Sequence, residues 1–269
     1  ILILFSVFCV ALIFSMFAAG RSIDDIGEEC GRYYEFVEKS HDVGALNYLI
    51  SVIQFVKCVR GETFHIHSLN DDHFSESRHV KNIQSDDIKI ILCRHHLMKL
   101  RLLYIMEDYD GALKAAQKCS TLRQYHIGTI IIPEYYVFHC LTLAALYPSA
   151  SILNKPIYRR QMRLFCRHLK RLSAQCPENF EDKYFLLQAE YARITGQSRR
   201  AITFYQKAIQ SANANGFTQY HAIGNEAAAK FYVARGYEDI AGSFMEKARQ
   251  SYHRWGAGTK VGLLEKNFP

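Results

Sequence analysis

Two stretches of the chain, "YARITGQSRRAITFYQKAIQSANANG" (191–216) and "FYVARGYEDIAGSFMEKARQSYHRWG" (231–256), align without a gap at an offset of forty residues. The matched positions are small: Ala189 with Ala229, Gly196 with Gly236, Ala201 with Ala241, Ala208 with Ala248, and Gly216 with Gly256. Glycine at the end of a helix and alanine at helical spacing after it are typical of an antiparallel helix pair. The sequence therefore predicts two copies of one helical hairpin.

The spacing has a physical reason. The first alanine stands where two helices approach too closely for a larger side chain, and the glycine seven residues later ends the first helix. Two alanines, 12 and 19 residues after the first, keep one face of the second helix small, with Tyr205 or Met245 supplying bulk between them. This is the tetratricopeptide pattern, with a period of forty rather than about thirty-four residues.

Weaker copies lie upstream. Residues 102–119 keep Ala112 and the small Cys119, with Glu107 in place of the glycine, and residues 13–39 offer an apolar helix, Gly20 and a second helix. Further helices are predicted over 42–60, 86–106, 133–147 and 156–174. Polar connections at 62–85 and around 148–155 divide them. We expect an all-α, tetratricopeptide-like α-solenoid, with degenerate repeats over 1–175 and two clear repeats plus a C-terminal helix over 176–269.

The composition indicates a folded protein, and no motif indicates a catalytic activity. Apolar residues make up 49% of the chain, and the formal net charge is +7 without a long basic run, which argues against nucleic acid. The eight cysteines are widely spaced, which favours reduced thiols and a cytoplasmic protein. The motif search finds no phosphate loop, HExxH, GxSxG or kinase signature, so we expect no catalytic residue, cofactor or metal site.

Two polar segments have alternative interpretations. "HIHSLNDDHF" (65–74) contains three histidines and two aspartates, but without a fixed third ligand a polar loop is favoured over a metal site. "KPIYRRQMRLFCRHLKRL" (155–172) places its basic residues mostly on one helical face. A solvated surface is favoured there, and a groove for an acidic partner is the alternative.

At this point the chain resembles the helical-repeat region of large multidomain signalling proteins. These carry a serine/threonine-kinase-like domain, an AAA-type ATPase domain, a tetratricopeptide-like solenoid, and GAF and sensor histidine kinase domains. The likeness is densest over 176–269 and fainter over 14–147. It rests on Pro177-Glu178-Asn179-Phe180, Lys183-Tyr184, Ala189-Glu190, Ala192-Arg193, Asn215-Gly216-Phe217, Asn225-Glu226, Phe231-Tyr232, Trp255-Gly256-Ala257, Lys260-Val261 and Leu264-Glu265.

The resemblance implies a non-catalytic module that relays between an ATPase switch and a histidine kinase output. A stand-alone adaptor that binds a partner protein or peptide is the alternative, and an unrecognised enzyme is a third. Neighbouring domains or a protein are the implied partners, with Arg193, Asn225, Glu226 and Trp255 as candidate interaction residues. For Asn225 and Glu226 a structural hydrogen-bond role is favoured over partner binding. The missing initiator Met and the stop at "NFP" suggest a segment of a longer chain.

The apolar stretch "ILILFSVFCVALIFSMFAAG" (1–20) is long enough to cross a bilayer, and its small-residue end resembles a signal-peptide cleavage site. The repeat pattern offers a third interpretation, since Gly20 falls at an inter-helix turn. We expect a solenoid helix of the kind that hairpins cover on both sides, the first half of a repeat whose preceding neighbour has been cut away. A membrane span or a signal remnant are the alternatives.

Overall fold

A computed structural model describes residues 2–85, 88–126, 129 and 131–268. Within these residues every regular element is a helix, which confirms the predicted all-α fold with solenoid-like packing of neighbouring helices. The chain divides into two compact units, Ile1–Ile132 with Trp255–Leu263, and Pro133–Arg254 with Leu264–Pro269. The boundary at residue 175 separates degenerate repeats from clear repeats in the sequence, and it stays a prediction from the sequence pattern.

The first unit is built from packed helices in which α3 and α5 are the most deeply buried. Its elements are α1 (Leu2–Ala18), α2 (Ile23–Lys39), α3 (Val43–Arg60), α4 (Glu76–Ser85), α5 (Lys89–Ile105), α6 (Tyr109–Leu122), a short 3₁₀ helix (Arg123–His126) and the start of α13 (Gly258–Asn267). Helix α3 packs on α2 and α5, and α5 packs on α6.

Helix α4 corrects the prediction of an irregular connection over 62–85. It has few apolar residues, so its sequence pattern is weak, and long-range contacts hold its first turn. The Glu76 carboxylate accepts from Lys99 Nζ at 2.7 Å, and Asn70 Oδ1 accepts from the Glu76 backbone N–H at 2.7 Å. The aspartates at 86 and 87, expected to begin the next helix, lie outside the described residues.

Helix α1 is buried along one face among the described residues, and its place in a repeat stays a prediction. Cys9, Ile13 and Phe17 are buried, whereas Phe5 and Phe8 are 42% and 57% exposed. The turn that follows is as predicted. Gly20 has φ +72°, and the next residue's N–H bonds back to Met16 O at 3.0 Å.

The second unit consists of consecutive helices joined by short turns. They are the described part of α7 from residue 133 (Ile131–Leu146), α8 (Asn154–Gln175), α9 (Pro177–Ile194), α10 (Ser198–Ala214), α11 (Thr218–Val233), and α12 up to residue 254 (Glu238–Trp255). Helix α9 lies between α8 and α10, and α10 packs on α11. A single residue, Cys176, separates α8 from α9, so these two helices form a tight hairpin.

Candidate partner-binding groove

The small residues of the repeat pattern lie where helices of the second unit meet. Their six alanines are at most 3% exposed: Ala189, Ala201, Ala208, Ala229, Ala241 and Ala248. Tyr205 and Met245, the bulky residues between them, are also buried. A methyl side chain at these places lets the backbones of paired helices approach closely.

The glycines of the pattern have the backbone that a helix end requires. Gly196 and Gly236 have φ of +76° and +75°, a left-handed region that an L side chain rarely adopts. The following N–H then reaches back to the helix it leaves, from Gln197 to Ala192 O at 2.9 Å and from Tyr237 to Tyr232 O at 3.1 Å. These bonds satisfy carbonyls that the helix end would leave unpaired.

Arg193, a candidate interaction residue, is engaged within the second unit. Its guanidinium donates to the Glu190 carboxylate, at 2.6 Å from Nη2 to Oε2, and to the backbone carbonyl of Ala144 at 2.8 Å. The Tyr205 hydroxyl donates to the same carboxylate. Burial, and after it the Glu190 charge, raises the pKa of Tyr205 well above its usual value. The network ties α7, α9 and α10 together, and a partner role for Arg193 stays a prediction.

Asn225 and Glu226 are buried on α11 and bond to neighbouring parts of the second unit. Asn225 Nδ2 donates to His221 O at 2.7 Å, on its own helix. Glu226 accepts from the Tyr252 hydroxyl at 2.6 Å and pairs with Lys230 at 2.7 Å. This geometry fits a structural hydrogen-bond role, which the sequence favoured over partner binding.

Trp255, the fourth candidate, has 1% of its surface exposed. Its indole N–H makes no hydrogen bond among the described residues. A residue this deeply buried offers no surface to a partner.

A groove of about 450 Å³ lies on the second unit along α8, α9 and α10, and the sequence did not predict it as a whole. Each of the three helices contributes one stripe at helical spacing, since residues three, four and seven apart share a face. The stripes are Arg163, Cys166, Arg167 and Lys170 from α8, Tyr184, Gln188, Tyr191 and Ala192 from α9, and Gln197, Arg200 and Phe204 at and after the start of α10.

The groove is basic, because four of these residues are cations and none is acidic. Arg163, Arg167 and Lys170 are exposed and make no ion pair or hydrogen bond with another described residue. Arg200 donates to Gln197 Oε1 at 2.7 Å, an uncharged acceptor. The groove therefore presents an uncompensated positive charge to solvent.

The aromatic rings of the groove are mostly occupied. Phe204 stacks on Phe185, with ring centroids 6.0 Å apart, and lies 5.8 Å from the Arg200 guanidinium. Tyr184 packs against Phe185 at 5.5 Å. Among the described residues, Tyr191 is the one lining ring without such a contact.

The histidine-rich segment has structural contacts in the first unit. His67 Nε2 lies 3.0 Å from Met106 O, and Lys57 Nζ donates to Asp71 at 2.7 Å. Asp71 also accepts from the His73 N–H. No group of three or more potential ligand side chains suited to a metal ion occurs in the part of the chain that the structure describes.

One described helix, α3, has the length and composition of a membrane-crossing helix, with a mean hydropathy of 1.3 over 18 residues and 56% of them buried inside the protein. Buried core helices pass the same test. The apolar part of α1 that was compared, Phe5–Ala18, is shorter than the 18 residues that this test requires.

Comparison with protein-family models finds none that matches this chain, and comparison with curated proteins finds no match either. The class that the fold defines is an all-α protein of packed helical hairpins. The resemblance to multidomain signalling proteins stays a prediction from the residues.

Proposed function

We propose that this chain is a non-catalytic interaction module of a cytoplasmic multidomain signalling ATPase and kinase, placed between an ATPase switch and a histidine kinase output. The observation that carries a binding role is the groove along α8, α9 and α10. It is open to solvent and lined by cations that pair with no carboxylate of the described residues.

The packing of the helices supports a relay. Small residues at the helix crossings allow little freedom for one helix to shift alone, because protein interiors are close-packed. A displacement at one hairpin is therefore passed to its neighbour. Buried networks such as Glu190–Arg193–Tyr205 join three helices of the second unit and stiffen it.

The free thiols are consistent with a cytoplasmic location. The eight cysteines, all of them among the described residues, form no disulfide, and the sulfurs of Cys93 and Cys119 lie 3.4 Å apart in a thiol hydrogen bond. Proteins of reducing compartments keep cysteines in this form.

The test begins with the coding sequence on either side of this segment. ATPase and kinase motifs there support the relay, and their absence favours the stand-alone adaptor. In a parent kinase, mutations in the ATPase domain should alter histidine autophosphorylation. We expect deletion of residues 1–269 to change that response. An unchanged response in an intact, folded deletion protein would contradict the proposal.

A further inference from the structure

We propose that the groove along α8, α9 and α10 binds an acidic peptide segment of a protein, with carboxylates held by Arg163, Arg167, Lys170 and Arg200. This inference rests on the proposed interaction function and names the chemistry of the partner.

The first step is charge. Arginine guanidinium groups bind carboxylates through two parallel hydrogen bonds, and the groove offers three arginines and one lysine. Because the lining contains no acidic side chain, a ligand carboxylate meets no competing anion there. A solvated basic face of an isolated helix would lack the second and third walls that α9 and α10 supply.

The second step is spacing. Arg163 and Lys170 are seven residues apart on α8, which is about 10 Å along a helix axis. In a polyproline II conformation three residues make one turn and rise about 9 Å, so side chains at positions i and i+3 lie on one face. A peptide segment in this conformation with acidic residues at positions i and i+3 therefore matches the ends of the α8 stripe, and Arg200 lines the same groove from α10.

The aromatic side chains of the groove favour a peptide over nucleic acid. Sequence-tolerant binding of single strands relies on successive bases stacking on aromatic rings. Here Phe204 and Tyr184 already pack against Phe185, which leaves Tyr191 alone for a base. The polar lining residue Gln188 suits peptide backbone groups instead, since a side-chain amide both donates and accepts.

The position of the cations on α8 favours a peptide over an anionic membrane. A bilayer is locally flat and contacts protruding cations rather than the interior of a groove. Helix α8 carries such cations outside the groove lining, Arg160 and Arg171, both exposed. A membrane would depend on this pair as well as on the exposed Arg163 and Arg167, whereas a peptide in the groove would depend on Arg163 and Arg167 and not on this pair.

The experiment uses the whole chain and matched double variants. Arg163→Gln with Arg167→Gln removes two groove charges, and Arg160→Gln with Arg171→Gln removes two charges of the same helix outside the groove. Gln has nearly the helix propensity of Arg, so all versions should fold, which circular dichroism checks. Fluorescence anisotropy follows a labelled 12-residue peptide with Glu at every third position, and the same peptide with Gln in place of each Glu.

We expect the Glu peptide to bind the native chain, the groove variant to bind about tenfold more weakly, and the control variant to bind within about twofold of the native chain. The Gln peptide should not bind, and added salt should weaken the Glu peptide. No binding of the Glu peptide at about 1 mM overturns the inference, as does an equal loss in both variants.

Two further probes decide between classes of anion. A thymidine 15-mer or phosphatidylserine vesicles that bind tighter than the Glu peptide, with the groove variant weakened, would reassign the groove and overturn the inference. The proposed function is judged separately by the kinase response. The groove could fail to bind the peptide while deletion of the chain still alters the kinase response. That result would contradict the acidic partner and would leave the proposed interaction module supported.

Discussion

Lys260 Nζ donates to Glu107 Oε1 at 2.8 Å, joining α13 to the turn before α6 within the first unit. The lysine side chain has no exposed surface, and Glu107 has a left-handed backbone with φ +67°. Glu107 stands five residues before Ala112, as Gly196 stands five residues before Ala201. It makes the same helix-ending turn, with the Asp108 N–H bonded to Leu103 O at 2.9 Å. The predicted degenerate repeat therefore has the same turn as the clear repeats, with an anion that pairs with a buried cation at the position of the glycine.

This exchange predicts that glycine, the residue usual for the turn, destabilises the protein here. Glu107→Gly relieves roughly 1 kcal/mol of backbone strain. Loss of one partner of a buried ion pair costs about 3–5 kcal/mol, which is the larger effect. We expect a net loss of about 2–4 kcal/mol in urea unfolding. Combining Glu107→Gly with Lys260→Met should restore most of it, because the lysine charge is then not left buried without Glu107. A single variant as stable as the native chain would contradict this account.

A second prediction concerns the small residues of the repeats. Ala208 is 3% exposed at a helix crossing, so Ala208→Leu must displace its neighbours and should cost about 1–3 kcal/mol. Ala214 is an exposed residue of the same helix, and Ala214→Leu should change stability by less than about 0.5 kcal/mol. Thermal unfolding followed by circular dichroism measures both. Equal effects of the two substitutions would remove the packing explanation for the alanine spacing.

The repeat pattern could be predicted from sequence because each of its parts is local. A left-handed glycine such as Gly196 and an alanine such as Ala201 are set by one turn and one helix crossing. The Glu107 turn was predicted for the same reason, from its distance to Ala112. Lys260 was not predicted to be structural, because its partner lies 153 residues away in the chain.

The groove could be predicted only in part, again because its walls are distant from one another in the sequence. The α8 stripe of Arg163, Arg167 and Lys170 is visible in the sequence, where a solvated surface was favoured over a partner groove. Its other walls are stripes on α9 and α10, such as Tyr184 with Gln188, that look like ordinary amphipathic helix faces. Only the packing of α9 between α8 and α10 brings the three together. The candidate interaction residue Trp255 was chosen from resemblance, and burial could not be judged from its type alone.

A third prediction follows from buried histidines of the first unit. Burial, and then the nearby His95 and Lys118, lowers the pKa of His96 to about 3. Burial and His95 similarly lower the pKa of His79, to about 4. Both folded-state values lie below the ordinary 6.5, so between these values the unfolded chain binds protons that the folded chain does not. Stability should therefore fall as the pH decreases below about 6.5.

His96→Leu should flatten this pH dependence, because it removes one of the two groups. The measurement is the urea midpoint at pH 7.5 and at pH 5. Met98→Leu, a substitution in the core of the same helix, supplies a control, since it removes no titratable group and should keep the native slope. A slope unchanged by His96→Leu would exclude His96 as a source of acid instability.

The last prediction concerns thiol reactivity. Seven of the eight cysteines are buried, and Cys176, between α8 and α9, is partly exposed. Thiolates are the reactive form, and burial with the nearby Glu29 charge raises the pKa of Cys30 to about 12. Burial, followed by the neighbouring Cys166, also raises the pKa of Cys140 well above its usual value. The folded chain should therefore release one fast equivalent of thionitrobenzoate from Ellman's reagent at pH 8. Cys176→Ser should abolish that fast phase, and Cys140→Ser, a substitution in the core, should leave it in place. Two or more fast equivalents from folded protein would show that the buried thiols open to solvent within the time of the assay.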